Sequence, residues 1–187
     1  MSYEYYRNLI DTLLEVDKTT GLNHSAAMIH YTKMNVQRMK RLDKTIQLND
    51  NFIDLSSRIE KTYTWLVITE AWCGDAAQII PIIKKMSDAS AGKIMLKFIL
   101  RDEHLDIMDA HLTNGSRAIP KVIILDDQLN EVASWGPRPK TLQTLVIDWM
   151  KDTELTHEDW SEKVHAWYTK DKTQEIQNEI KSLFKSL

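Results

Sequence analysis

The sequence feature that most restricts the fold is a predicted helix between two predicted strands. Residues 64–71 (TWLVITEA) are β-branched and apolar on both faces, as a buried strand is. Residues 93–100 (KIMLKFIL) predict a second strand, and residues 74–89 predict the helix between them. A strand, a helix and a strand in this order form a parallel pair joined by a crossover. The chain is therefore predicted to contain an α/β domain.

The rest of this predicted domain adds a hairpin and two helices. A short helix begins at Asp102, and a closing helix covers residues 138–152. Between them, residues 121–127 (KVIILDD) and 131–135 (EVASW) predict two strands, and the turn DDQLN that joins them is short enough for an antiparallel hairpin. Residues 63–152 are thus predicted to form a mixed sheet flanked by helices.

Helical segments are predicted on both sides of this domain. Residues 1–62 contain one glycine and no proline, and they predict an extension of three helices. The apolar stripes are Leu9, Leu13 and Val16 in the first helix and Met28, Tyr31, Met39, Leu42 and Ile46 in the second. Asn49 or Asp50 is expected to cap the third. Residues 153–187 predict a polar helical tail that packs on the domain through Trp160, Trp167, Ile176, Ile180 and Phe184.

Composition restricts the classes of partner. A formal net charge of −3 gives no reason to expect a nucleic acid or an acidic membrane surface. The basic helix around Lys33 and Lys44 is more typical of a solvated face, and the six histidines show no metal-ligand spacing. One cysteine cannot form an internal disulfide, and the N-terminal residues lack the pattern of an export signal. We expect a soluble, cytoplasmic protein without a metal.

The single cysteine, Cys73, lies where the first predicted strand passes into the helix. The segment AWCGDAAQIIP around it resembles the active-site segment of the thioredoxin family, whose signature is Trp-Cys-Gly-Pro-Cys at a strand-to-helix junction. Pro81 matches the proline that kinks the family's active-site helix, RAIPKVIIL matches its Ile-Pro step, and SWGPRP matches its glycine-containing loop. The resemblance covers residues 64–152. It implies a thioredoxin-like fold and a bacterial subfamily with helical extensions. The opening strand of the family has no counterpart in the sequence.

Three departures from the family pattern bear on activity. Asp75 replaces the active-site proline, Ala76 replaces the second cysteine, and Val67 replaces a buried aspartate. A dithiol cycle within one chain is therefore impossible. The resemblance implies instead a monothiol thiol–disulfide oxidoreductase that forms a mixed disulfide with a protein, a peptide or glutathione as co-substrate. The alternatives are a redox-inactive binding module for a peptide or partner protein, and a redox sensor.

The sequence does not decide whether the pKa of Cys73 is raised or lowered. The start of a helix favours the thiolate, whereas a carboxylate at Asp75 disfavours a second negative charge. We expect Cys73 to be exposed and reactive toward disulfides, and Glu70 to face solvent. Asp75 is expected either to accept the thiol proton or, as the more common role in a first turn, to cap the helix.

The resemblance also implies a substrate groove. Its predicted residues are Trp72, Gly74, Ile119, Pro120, Gly136 and Arg138. Pro120 is the expected cis-proline, and the backbone of Ile119 is expected to pair with an extended guest chain. Arg138 is predicted either to hold a carboxylate, such as one of glutathione's, or to form a surface salt bridge. Trp135 is either a contact residue of the groove or part of the core.

Overall fold

The computed structural model of the chain describes residues 1–184. The helices are α1 (Tyr3–Glu15), α2 (Ala26–Thr45), α3 (Asp50–Ser57), α4 (Gly74–Ala89), α5 (Leu105–Asp109), α6 (Lys140–Trp149), α7 (His157–Asp171) and α8 (Gln174–Phe184). The strands are β1 (Tyr63–Thr69), β2 (Ile94–Leu100), β3 (Lys121–Leu125) and β4 (Glu131–Trp135), and a 3₁₀ turn covers Arg101–Glu103. Within this described part, no helix has the length and apolar character needed to cross a lipid bilayer.

The four strands form one mixed sheet in the order β2-β1-β3-β4. Strands β1 and β2 are parallel, with Val67 opposite Phe98, and α4 is the crossover between them. Strand β3 is antiparallel to β1 on its other side and places Val122 opposite Val67. Strand β4 then pairs antiparallel with β3, with Trp135 opposite Val122. The predicted α/β fold with a parallel pair, a hairpin and flanking helices is confirmed.

Strand β1 ends at Thr69, two residues earlier than predicted, because the backbone of Ala71 bonds to the N-terminal extension instead of the sheet. The N–H of Ala71 donates to Oγ1 of Thr20 at 2.8 Å, and its carbonyl oxygen accepts from Nδ2 of Asn35 at 2.9 Å. Buried backbone groups require such partners. The extension therefore holds the loop that leads into α4.

Helices α1 and α2 bury residues outside the predicted stripes, although Met39 and Ile46 of the second stripe are buried as predicted. Helix α1 buries Tyr6 and Ile10, whereas Val16 lies after its last residue and is 61% exposed. Helix α2 buries polar Thr32 and Asn35 beside Val36 and Met39. Thr32 shares a hydrogen bond of 2.6 Å with Thr19, and Asn35 bonds to the loop before α4. Specific hydrogen bonds thus place α2, in addition to apolar packing.

The extension, the sheet and the tail share one hydrophobic core. Helix α4 is buried along most of its length, and α2 packs against it. From the tail, Ile176, Ile180 and Phe184 are buried, and the ring of Phe184 lies edge-on to Tyr63 with the centroids 5.2 Å apart. Trp160 and Trp167 are only partly buried against this core. The tail is therefore part of the packed structure and not a peripheral segment.

Candidate functional site

Cys73 lies at the start of α4, as predicted, but its side chain is buried. It is the N-cap residue: Sγ accepts a hydrogen bond from the backbone N–H of Ala76 at 3.5 Å. The thiol donates to the carbonyl oxygen of Ile119 at 3.4 Å, and the residue is 8% exposed. The expectation of an exposed cysteine was wrong, because the N-terminal extension and the tail cover a position that the motif alone leaves open.

Burial also decides the acidity of this thiol. Loss of solvent raises the pKa of Cys73 to about 12, and the negative charge of Asp75 acts in the same direction. The N–H of Ala76 and the charge of Arg138 oppose the shift without reversing it. Cys73 is therefore a protonated thiol at neutral pH, since desolvation outweighs the favourable position at the helix start.

Asp75 is part of a buried ionic cluster rather than a cap. Its Oδ2 lies 2.6 Å from Nη2 of Arg138, and its Oδ1 accepts from the hydroxyl of Tyr168 at 2.9 Å. Nη1 of Arg138 also donates to Oε1 of Gln143 at 3.1 Å. Burial raises the pKa of Asp75, and the Arg138 guanidinium is the strongest influence against that shift. The expected capping role was wrong, because Cys73 already caps α4.

The same contacts correct the expectation for Arg138. Its side chain is 16% exposed and is paired inside the protein, so it is neither a surface salt bridge nor a free carboxylate-binding group. The cluster joins the start of α4, the segment before α6 and Tyr168 of α7. Arg138 is thus a structural partner of Asp75 in this conformation.

The Ile119–Pro120 step lies against Cys73 but is closed to solvent. Its peptide bond is cis, both residues are buried, and Ile119 is 6% exposed. The expectation that Ile119 offers its backbone to an extended guest chain does not hold here, because a strand-like partner needs an open edge. Gly136 packs beside this step with a φ of +117°, and a Cβ atom there would overlap the carbonyl oxygen of Pro120. Gly136 is therefore required by close packing.

The two tryptophans have different surroundings. Trp72 is partly buried, and the guanidinium of Arg101 lies 4.8 Å from its ring centroid. Trp135 is 7% exposed, and its indole N–H donates to Oε2 of Glu179 in α8 at 2.7 Å. Of the two roles left open for Trp135, the core role is the observed one.

Glu70 is completely buried, contrary to the expectation that it faces solvent. Its Oε1 accepts the backbone N–H of Asp102 at 2.9 Å, and burial raises its pKa. Thr19 and Thr20, which precede α2, are also buried in this region. The N-terminal extension accounts for the difference, since an isolated strand end would leave Glu70 in water.

A cleft of about 270 Å³ opens beside Cys73, and we call it the Cys73 cleft. Trp72, Cys73, Gly74 and Asp75 form one wall, and residues of α2 and α7 form the others. Its methionine, tyrosine and tryptophan lining residues are Met28, Tyr31, Met34, Trp72 and Trp160. Its polar lining includes Asn35, Arg38, Arg138, His157, Ser161 and His165. The predicted groove is thus divided: Trp72, Gly74 and Arg138 line this cleft together with Cys73 and Asp75. Gly136 and Arg138 line a separate surface pocket along β4 and α8, and Ile119 and Pro120 line neither of the two.

His165 of α7 is a residue of this cleft that sequence analysis missed. Its Nδ1 lies 3.1 Å from Nε2 of Gln78, and a Cβ at Gly74 would lie 3.0 Å from its Cε1. Burial lowers the pKa of His165 to about 4, and the charges of Arg38 and Arg41 add to this shift. Arg38, His165 and Tyr168 carry no sequence signal of a site, because they lie on helices outside the motif.

Comparison with solved structures supports the fold. The chain is similar to a protein of unknown function from Pseudomonas aeruginosa, with a TM-score of 0.60, 18% identity and coverage of 100% of this chain and 98% of that chain. It is also similar to an HIV epitope scaffold, with a TM-score of 0.59, 18% identity and coverage of 100% and 99%. No curated protein matches the sequence.

The family model described as "Thioredoxin" matches residues 21–154. This match extends beyond the resemblance over residues 64–152, because it begins before α2 and includes α2 and α3. Helix α2, which lines the Cys73 cleft, therefore lies within the family match. This chain belongs to the thioredoxin family.

Proposed function

We propose that this thioredoxin-family protein is a binding module whose ligand occupies the Cys73 cleft while the thiol stays protonated. The observation that carries the proposal is the burial of Cys73, which raises its pKa to about 12, on the wall of a cleft enclosed by α2 and α7. The thiolate is the nucleophile in disulfide exchange, and at pH 7 this thiol holds a very small fraction of it. Binding pockets commonly combine an apolar lining with a few polar groups, as this cleft does.

The first test is the alkylation of Cys73 by iodoacetamide across the pH range. We expect a rate at pH 7 more than about a hundredfold below that of free cysteine, with an increase only at strongly alkaline pH. Cys73→Ser is the control that identifies the modified residue. A rate at or above that of free cysteine at pH 7 would contradict the proposal.

A monothiol oxidoreductase is the second candidate, and one observation favours it. Cys73 caps α4 and lines the cleft, so the thiol borders the space through which the sulfur of a disulfide would approach it. Attack by the Cys73 thiolate would form the Cys73–glutathione mixed disulfide and release one glutathione thiolate. A glutathione thiolate would then attack the glutathione sulfur of that disulfide, release oxidised glutathione and regenerate the Cys73 thiolate. Mass spectrometry after treatment with oxidised glutathione tests this candidate: an adduct formed within minutes at pH 7 and abolished by Cys73→Ser supports it, and no adduct refutes it.

A peptide or protein partner at the Ile119–Pro120 step requires movement of the covering residues, because Ile119 is 6% exposed. The redox-inactive module therefore uses the Cys73 cleft rather than the family's peptide groove. A cytoplasmic location, a bacterial source and glutathione as a co-substrate stay predictions. Partner capture with wild-type protein and Cys73→Ser provides a further comparison, since an unchanged set of partners favours binding without thiol chemistry.

A further inference from the structure

The Cys73 cleft contains one positive charge that no carboxylate balances. Arg38 of α2 lines it and forms no ion pair within residues 1–184. The other charged residues on its walls, Asp75 and Arg138, neutralise each other at 2.6 Å. His157 and His165 also line it, and burial together with Arg38 and Arg41 keeps His165 neutral. The walls therefore carry a net positive charge located at Arg38.

The guanidinium of Arg38 has capacity for a ligand. Its Nη1 donates to Oδ1 of Asn35 at 2.7 Å, and Asn35 is itself held by the carbonyl oxygen of Ala71. Within residues 1–184, no other acceptor bonds to Arg38. A guanidinium has five N–H donors in a planar fork that matches a carboxylate. Asn35 thus orients Arg38 and leaves donors free.

The remaining walls suit an apolar body. Met28, Tyr31, Met34, Trp72 and Trp160 contribute aromatic rings and thioethers, which pack well against rings and branched chains. A volume of about 270 Å³ lies just below the range of about 300–1,000 Å³ that is typical of small-molecule sites. An extended peptide does not fit such a volume, and the adjacent Ile119 is buried.

We propose that the Cys73 cleft binds a small organic acid, with its carboxylate on Arg38 and an aromatic or branched apolar body between Tyr31, Trp72 and Trp160. This inference rests on the proposed function, because it assigns the class of ligand to that same cleft. Arg38 is then the residue that selects acids over neutral molecules of the same shape. The neutral thiol of Cys73 is part of the wall and takes no part in a reaction.

The test compares 1-naphthoate with 1-naphthamide, which has the same ring system without the charge, by isothermal titration calorimetry on the full chain. We expect 1-naphthoate to bind the wild-type protein at least about tenfold more tightly than 1-naphthamide. Shifts of the Trp72 and Trp160 indole N–H signals in NMR spectra, assigned with Trp160→Phe, locate the bound ring. The calorimetric comparison of the two ligands uses the wild-type protein alone.

Variants of two arginines on the same helix test the role of Arg38. Arg38→Gln should weaken 1-naphthoate binding at least about tenfold and leave 1-naphthamide unchanged. Arg41→Gln removes the same charge from an exposed residue that does not line this cleft, so it should have little effect. Arg38→Lys, which keeps the charge but not the planar fork, should retain part of the affinity.

Several outcomes would overturn the inference. Equal binding of acid and amide, or equal losses in the two Gln variants, would show a cleft that binds ligands without a carboxylate site, and the proposed function would stand. Tighter binding of the peptide acetyl-Ala-Ala-Ala-Phe than of 1-naphthoate would make a peptide terminus the ligand. The inference would also be overturned if neither naphthalene compound bound. The rate of Cys73 alkylation tests the proposed function separately.

Discussion

The carboxylate of Asp75 and the guanidinium of Arg138 lie 2.6 Å apart in the protein interior. Asp75 is the second residue after Cys73. In the thioredoxin signature, the position of Asp75 holds a proline. Here a buried charge at this position requires its own partner, because an unpaired carboxylate inside a protein is costly. The segment around Cys73 is therefore tied to residues outside the motif.

The charge of Asp75 contributes to the low reactivity of Cys73. It acts with burial to raise the pKa of the thiol, so Asp75→Asn should lower that pKa and speed alkylation by iodoacetamide at pH 8.5, by an order of magnitude or so. Tyr168→Phe removes a hydrogen bond from Asp75 and keeps both charges, so its rate should stay near that of the wild type. Equal rates for Asp75→Asn and wild type would show that burial alone holds the thiol protonated.

Removal of Arg138 should destabilise the fold strongly. Arg138→Gln leaves Asp75 buried without its counter-charge, and we expect a loss of about 3–5 kcal/mol in the free energy of unfolding. Urea denaturation followed by circular dichroism measures it. The matched control is Arg117→Gln, because the pair of Arg117 with Asp109 is exposed, and no measurable loss is expected there. Similar losses in both variants would refute the importance of burial for this pair.

His165 should remain neutral to about pH 4, because its folded-state pKa is lowered to about 4 from an ordinary 6.5. A lowered pKa means that protons bind the unfolded chain more readily. The contribution of neutral His165 to the free energy of unfolding is therefore complete above pH 6.5 and is lost as the pH falls toward 4. NMR titration of the imidazole signals measures the pKa directly, and Arg38→Gln should raise it. Titration of wild-type His165 near pH 6.5 would contradict its buried position against Gly74 and Gln78.

Gly136 should tolerate no side chain, unlike a glycine in open space. Gly136→Ala brings a Cβ into the carbonyl oxygen of Pro120 at a φ of +117°, and we expect a loss of about 3 kcal/mol or more. Gly92→Ala is the control: its φ is +84°, and nothing lies within 4 Å of the added atom. Its loss should be about 1–2 kcal/mol, from backbone strain alone. Urea denaturation measures the free energy of unfolding of both variants. Equal losses would show that the contact of the added Cβ with Pro120 does not destabilise the fold.

Local patterns predicted the order of the elements but not every boundary or buried face. The short helix predicted to begin at Asp102 is a 3₁₀ turn at Arg101–Glu103 followed by α5. Helix α4 covers the predicted residues 74–89, and Asn49 caps α3 through its side chain. These features depend on neighbours in sequence, which propensity and capping describe. The buried face of α2 was less predictable, because Thr32 and Asn35 are buried through hydrogen bonds to Thr19 and Ala71. A hydrophobic pattern does not report such bonds.

By itself, the sequence determined the order of strands and helices, the family, and the position of Cys73 at the start of a helix, since each depends on residues close together along the chain. Tertiary structure alone decided the chemical state of that cysteine. Tyr168 lies 93 positions from Asp75, and α2 and α7 close over the motif from opposite ends of the sequence. The pKa of a thiol depends on the solvent and charges around it in space, and only the folded chain brings those groups together.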